Sequence, residues 1–131
     1  MPITALYILP LALLLIALGF RTIAYRRGHQ ISLGDGGDKQ LLQRMRVHAN
    51  CAEYAPMGLI ALALAESLAA PSLWLHAIGV TLVAGRALHA YGMSQSPQLM
   101  PLRVGGMVLT FTAIAAGSFA AAILSVQRLV A

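Results

Sequence analysis

The segment from Arg44 to Pro56 most constrains this chain, because it places charged and amide side chains inside a stretch that is otherwise as apolar as a membrane span. At about 100° per residue, Arg46, Asn50 and Glu53 fall on one face of a helix. Each charge costs about 2.5–3.5 kcal/mol to insert near a bilayer centre, so this face must lie near the interface, between helices or beside an opposite charge. The spacing therefore predicts a polar site.

The composition predicts an integral membrane protein. The chain has 131 residues, of which 59% are hydrophobic and 10% are charged, and its mean hydropathy is +0.76. Such a chain has too little polar surface to cover a soluble globule. Its formal charge of +5 gathers at helix ends and in one loop, where anionic lipid or a topology signal explains it better than nucleic acid. Cys51, the single cysteine, excludes an internal disulfide and is expected to be a small apolar filler.

Hydrophobic patterning predicts four helices, at about residues 3–24, 39–68, 73–91 and 102–126. The first lacks a basic start and is too long for a signal-peptide core, so it should remain as a transmembrane helix. The fourth is rich in the small residues that let membrane helices approach closely. Short connections place consecutive helices antiparallel. The expected fold is all-α, a single four-helix membrane bundle over residues 1–131 with both termini on one side.

The distribution of lysine and arginine predicts the orientation of the bundle. Basic residues flank the loop between helices one and two (loop one) and the loop between helices three and four (loop three): Arg21, Arg26, Arg27, Lys39, Arg44, Arg46 and Arg103. The turn between helices two and three has none, and the C-terminal segment has only Arg128. Loops one and three should therefore be cytoplasmic. A soluble anionic small molecule could then reach the polar face of helix two, while the membrane supplies a second partner.

Helix three carries a second polar group. Arg86 and His89 are three residues apart, so they lie on one face of the helix, toward the same end as Glu53. An ion pair between Arg86 and Glu53 is predicted, either as a salt bridge that locks the bundle or as part of a ligand site. His48 and His89 could suggest a metal, but the sequence holds no complete set of metal ligands at the usual spacings, so no metal site is expected.

These residues resemble the MAPEG family, the membrane-associated proteins in eicosanoid and glutathione metabolism. The resemblance rests on the Arg-x-x-x-Asn-x-x-Glu-x-x-Pro pattern at 46–56, on Arg-Ala-Leu-His at 86–89 and on the Leu-Gly-Asp-Gly-Gly-Asp loop at 33–38, which is typical of small bacterial members. It covers nearly the whole chain. It implies a homotrimer of four-helix protomers in the bacterial inner membrane, with glutathione bound in a U shape at the cytoplasmic side between neighbouring subunits.

The resemblance also implies the residues that would bind glutathione. They are Arg26, Arg46, His48, Asn50, Glu53, Tyr54, Arg86, His89 and Tyr91. The chemistry agrees, because glutathione bears two carboxylates and one ammonium group. Arg46 and a second arginine can hold the acids in charge-assisted hydrogen bonds, Glu53 can take the ammonium or orient an arginine, and Asn50 can donate and accept at once.

Catalysis would require a donor such as arginine beside the sulfur, because the thiolate is the nucleophile and a free thiol titrates near about 8.5. The resemblance implies an arginine near the start of helix four. An ungapped comparison places Met100 or Leu102 there, and Arg103 matches after a shift of one residue in loop three. The tyrosine expected at the end of helix three aligns without gaps to Met93, with Tyr91 nearby. Arg103 is the candidate catalytic residue.

Three functions follow as alternatives. The first is a glutathione transferase or peroxidase, with glutathione as co-substrate, acting on lipophilic electrophiles or lipid hydroperoxides in the bilayer. The second is a non-catalytic MAPEG-like membrane protein that binds a small anionic or lipid ligand. The third is a small multidrug transporter. Such a transporter requires a carboxylate with no permanent arginine partner, so Arg86 disfavours it. The expected partners are other copies of the chain in a homotrimer, membrane lipid and a lipophilic small molecule, with no nucleic acid.

Overall fold

Four long helices make up the computed structural model, which describes residues 1–130. They are α1 (Pro2–Gly28), α2 (Lys39–Ser67), α3 (Ser72–Ser94) and α4 (Met100–Val130). The described residues contain no strand, so the predicted all-α four-helix fold is confirmed. Helices α1, α3 and α4 run a few residues beyond their predicted bounds, because the flanking polar residues continue the helix after the apolar run has ended.

The four helices differ in how well they suit a membrane. Helices α1, α3 and α4 are each long and apolar enough to cross one. Helix α2 is interrupted by the polar residues of its first half and does not reach that apolarity over the described residues. Like α3, it contacts each of the other three helices. Protein neighbours on several sides therefore shield much of α2 from lipid.

Consecutive helices run antiparallel. Thr4 at the start of α1 contacts Glu66 at the end of α2. Gln43 near the start of α2 contacts Met93 at the end of α3, and His89 toward the end of α3 contacts Arg103 at the start of α4. Among the described residues, α1 and α4 do not touch. The bundle therefore has α2 and α3 at its centre, with α1 packed on one side of them and α4 on the other.

Small residues allow α3 and α4 to approach closely. The buried positions of α4 form a stripe that contains only small side chains: Gly106, Thr110, Ala113, Gly117 and Ala121. A Cβ added at Gly106 would lie 2.4 Å from the backbone nitrogen of His89, and one added at Gly85 would lie 2.8 Å from the backbone nitrogen of Thr110. Larger residues at these two glycines would push the backbones apart. The contact brings the polar residues of α3 directly against α4.

A carboxylate at each end of α2 caps a helix and binds α1. Asp38 caps α2, since its Oδ1 accepts hydrogen bonds from the backbone N–H groups of Gln40 (2.8 Å) and Leu41 (3.0 Å). The hydrogen bond from Leu41 and those from the Tyr25 hydroxyl and Gln40 hold the pKa of Asp38 below its ordinary value. At the far end, Glu66 accepts from the first turn of α1, at Thr4 N (2.8 Å) and Thr4 Oγ1 (2.6 Å). Asp38 binds Tyr25 of α1, and Glu66 binds Thr4 of α1, so the two carboxylates connect α1 to α2 at both ends.

Candidate functional site

Arg86 forms the polar centre of the bundle. It is 1% exposed, and its Nε donates to Thr110 Oγ1 at 2.8 Å. Nη1 donates to Asn50 Oδ1 at 2.7 Å, and Nη2 donates to Met107 Sδ at 3.0 Å. The guanidinium carbon also lies 5.5 Å from the centroid of the Tyr54 ring, a favourable cation–π distance. One arginine of α3 therefore joins α2 and α4 through neutral acceptors.

The predicted Arg86–Glu53 ion pair is wrong within the protomer. Glu53 is exposed, and the hydrogen bonds of Arg86 go to Asn50, Thr110 and Met107 instead. Asn50 and Glu53 are only about 60° apart around a helix, so a small rotation decides which of them faces α3. Burying the neutral amide also avoids the desolvation of a carboxylate.

An open polar face remains on α2. Arg46 and Glu53 are exposed, and Asn50 lies between them, half-buried. Arg46 and Glu53 are two helical turns apart, about 10 Å along the axis, and they carry opposite charges. Because Arg86 takes the Oδ1 of Asn50, the amide nitrogen of Asn50 is left as a donor. The face therefore offers a cation, a neutral donor and an anion in a row.

Arg103 lies in the first turn of α4 and is fixed at its main chain. Its carbonyl oxygen accepts a hydrogen bond from His89 Nδ1 at 2.8 Å, and its N–H donates to Leu99 O at 3.0 Å. Its Nη1 donates to Gln98 Oε1 in loop three at 2.6 Å. His89 is 4% exposed, and its Nε2 has no hydrogen-bond partner among the described residues. His89 thus holds the backbone of the candidate catalytic residue.

Tyr54 extends the site along α2. Its ring meets the Phe111 ring of α4 edge to face, with centroids 5.4 Å apart and an interplanar angle of 65°. It also lies beside the Arg86 guanidinium. The polar face is therefore bordered by an aromatic pair where α2 and α4 meet.

Three predicted residues lie elsewhere in the protomer. Arg26, on α1, donates from Nη2 to Met45 Sδ at 3.1 Å. His48 packs on α1 beside Gly19, and a Cβ added to that glycine would lie 3.5 Å from His48 Nε2. Tyr91 is 57% exposed and lines a groove between α1 and α3. A single protomer does not bring these three residues to the face that carries Arg46 and Glu53.

Sequence reasoning missed the contributions of α4 and loop three. Thr110 and Met107 bind Arg86, and Gln98 binds Arg103. Thr110 alone carries a usable signal, because it is a hydroxyl residue within a stripe of small residues spaced three or four apart. Over residues 1–130, no cluster of three or more His, Cys, Asp or Glu side chains is placed to hold a metal ion.

Comparison with known proteins gives concordant results. The chain matches the model of the MAPEG family over residues 4–123. It is also 33% identical, over 112 residues, to the inner membrane protein YecN of Escherichia coli, in an alignment that covers 86% of this chain and 84% of that protein. The YecN protein of a second Escherichia coli strain gives the same values. The region matched by the family model contains every residue of the candidate site.

Proposed function

Because the chain belongs to the MAPEG family, we propose that it is a membrane-embedded, glutathione-dependent transferase or peroxidase acting on lipophilic substrates. The chain is a membrane protein with three apolar spans, and its relative YecN is an inner membrane protein. In the proposed orientation, loops one and three face the cytoplasm, where glutathione is available. The lipophilic substrate enters from the bilayer.

The open face of α2 carries this proposal. Arg46 can hold a glutathione carboxylate, and Glu53, which is exposed and has no arginine partner among residues 1–130, can hold the ammonium group. The free donor of Asn50 can bind a peptide carbonyl or the second carboxylate. Arg86 does not touch the ligand in this proposal, because it is buried and holds Asn50 from behind.

A neighbouring protomer completes the proposed site. The exposed stripe of α2 continues below Glu53 as Met57, Ile60 and Leu64, so one helix presents both a polar and an apolar surface for assembly. A homotrimer with α2 helices around its axis would cover this stripe. Arg26, which lies on α1 and binds Met45, and His48, which packs on α1, could reach glutathione only from an adjacent copy. Tyr91 lies in a groove between α1 and α3 and has no role in the proposed glutathione site.

The proposed chemistry is attack by the glutathione thiolate. The thiol releases its proton to water, and the guanidinium of Arg103 stabilises the sulfur anion at neutral pH. With a chlorinated nitroaromatic, a carbon–sulfur bond forms and chloride leaves with the electron pair of its bond. Arg103 must exchange its hydrogen bond to Gln98 for one to the sulfur. Its main chain stays fixed by His89.

The test separates binding from activation. Wild-type protein saturated with glutathione should show thiolate absorption in the ultraviolet near neutral pH and transferase activity toward a chlorinated nitroaromatic. Arg103→Ala should lose both while its affinity for glutathione stays within about threefold, since the contact is made mainly with the thiolate. The matched control is Arg128→Ala in the exposed last turn of α4, which should behave as wild type. Full activity in Arg103→Ala would show that Arg103 does not activate the thiol.

One observation favours the non-catalytic alternative. The guanidinium of Arg103 is bound to Gln98 rather than directed to an open donor position. If that bond persists, glutathione binds as a thiol and no thiolate band appears in wild type. The variant Gln98→Ala distinguishes the two cases, because releasing Arg103 should then create the band.

The reason to disfavour a multidrug transporter differs from the one predicted from the sequence. Arg86 does not pair with Glu53, so a permanent arginine partner does not exclude a multidrug transporter. Membership in the MAPEG family is the remaining reason to prefer thiol chemistry.

A further inference from the structure

We propose that the groove between α1 and α3 binds an anionic phospholipid, with Arg21 holding the phosphate. The groove has a volume of about 420 Å³. Its floor is apolar, formed by Leu14 and Leu18 of α1 with Ala87 and Ala90 of α3. Arg21 and the half-exposed Tyr91 stand at the end nearest loops one and three. An anionic phospholipid has an apolar chain next to a negatively charged headgroup. The apolar floor and the cationic end of the groove are complementary to these two parts.

Arg21 has no counter-ion among residues 1–130. Its Nη1 donates to the neutral hydroxyl of Ser94 at 2.6 Å. The chain has four Asp and Glu side chains, and all four lie away from the groove: Asp35 accepts from Gly37, Asp38 caps α2, Glu53 lies on the open face of α2 and Glu66 caps α1. A second cation lies close by, because the Arg44 guanidinium is 4.7 Å from the ring centroid of Tyr25, one helical turn beyond Arg21. The charge of this region is complementary to a phosphate.

The depth of Arg21 suits a phosphate headgroup. Ile3 lies at one end of the bundle, where its N–H donates to Glu66. About 27 Å of helix, at 1.5 Å per residue, separates Ile3 from Arg21. That length approaches the roughly 30 Å thickness of a hydrocarbon core. Exposed Trp74 and Tyr91 lie near opposite ends of α3, as aromatic residues do at the two interfaces of a membrane. Arg21 therefore lies where lipid phosphates are found.

The groove is separate from the proposed glutathione site. The open face of α2 borders α4, whereas this groove lies between α1 and α3, and α1 does not contact α4 in residues 1–130. Tyr91, which the family resemblance associates with glutathione, is here a wall of the groove. The lipid proposal therefore stands or falls independently of glutathione binding.

Native mass spectrometry of the detergent-purified protein tests the proposal, with phosphatidylglycerol and phosphatidylcholine added in equal amounts. Wild type should retain phosphatidylglycerol in preference. Arg21→Gln should reduce that retention about fivefold, the equivalent of about 1 kcal/mol for one arginine near a lipid surface. Ala87→Trp, which fills the exposed floor and leaves the charge in place, should reduce retention of both lipids.

The matched control is Arg27→Gln, on the same helix and at the same end but lining a different groove. It should keep the phosphatidylglycerol preference of wild type. Thermal melts establish that each variant is folded, and glutathione binding should be unchanged in all three. Equal retention by Arg21→Gln and wild type would overturn the proposal, as would an equal loss in Arg27→Gln, which would indicate general basic charge instead of a site.

Discussion

At the scale of single residues, the polar centre of this protein is a buried cation satisfied without an anion. Arg86 donates to an amide, a hydroxyl and a thioether, each from a neighbouring helix. This arrangement avoids the desolvation of a second charge. It also leaves Glu53 on the surface, where a ligand or another protomer can meet it.

Removal of the Asn50 side chain should therefore destabilise the bundle. Asn50→Ala removes the acceptor at 2.7 Å from Arg86 Nη1 and leaves that group only the main-chain oxygen of residue 50 at 3.4 Å, which should cost about 1–3 kcal/mol. The melting temperature of the detergent-solubilised protein measures this loss. The control Glu53→Gln, only three positions along α2 but exposed, should change stability by less than about 0.5 kcal/mol. If the two variants lost equal stability, Glu53 would interact with Arg86 as strongly as Asn50 does, which would contradict the structure.

The sequence could predict this residue chemistry only in part. The i, i+4, i+7 spacing correctly placed Arg46 and Glu53 on one face of α2, and the i, i+3 spacing placed Arg86 and His89 together on α3. The partner of Arg86 depends on a rotation of α2 smaller than the 60° between Asn50 and Glu53. Helical periodicity does not fix such a rotation, because packing against α3 and α4 sets it.

At the scale of helices, the α3–α4 contact positions the site. Gly85 and Gly106 bring the two backbones together, and the same contact places Thr110 beside Arg86 and the carbonyl of Arg103 beside His89. The small residues of α4 predicted close packing, and the buried stripe of small residues agrees. Which helix the stripe would face could not be predicted, since α4 contacts both α2 and α3.

Adjacent glycines of α4 give a matched pair of variants. Gly106→Ala places a methyl group against the backbone of His89, which cannot rotate away, so the helices must separate at a cost of about 1–3 kcal/mol or more. Gly105→Ala meets nothing within 4 Å and should be neutral or stabilising by up to about 1 kcal/mol, since alanine favours a helix. Thermal melts compare them. If both variants melted alike, α3 and α4 would not approach as closely as described.

At the scale of the whole molecule, one protomer holds only part of the proposed site. The face with Arg46 and Glu53 is open, while Arg26 and His48 face the other side of the bundle. The four-helix membrane fold followed from hydrophobic patterning. The assembly could not follow from it, because the exposed stripe of α2 shows a surface to be covered and not the number of copies that cover it. The family resemblance implies three copies, and native mass spectrometry of the purified protein should show a trimer.

The most direct test is calorimetric titration of the detergent-purified protein with glutathione. We predict saturable binding by wild type and by Arg128→Ala, whose arginine lies in the exposed last turn of α4. Arg46→Ala should bind about ten- to a hundredfold more weakly, which corresponds to about 1.5–3 kcal/mol for a hydrogen bond to a charged group. Absence of saturable binding by folded wild-type protein, or equal affinity in Arg46→Ala, would contradict glutathione binding on the open face of α2.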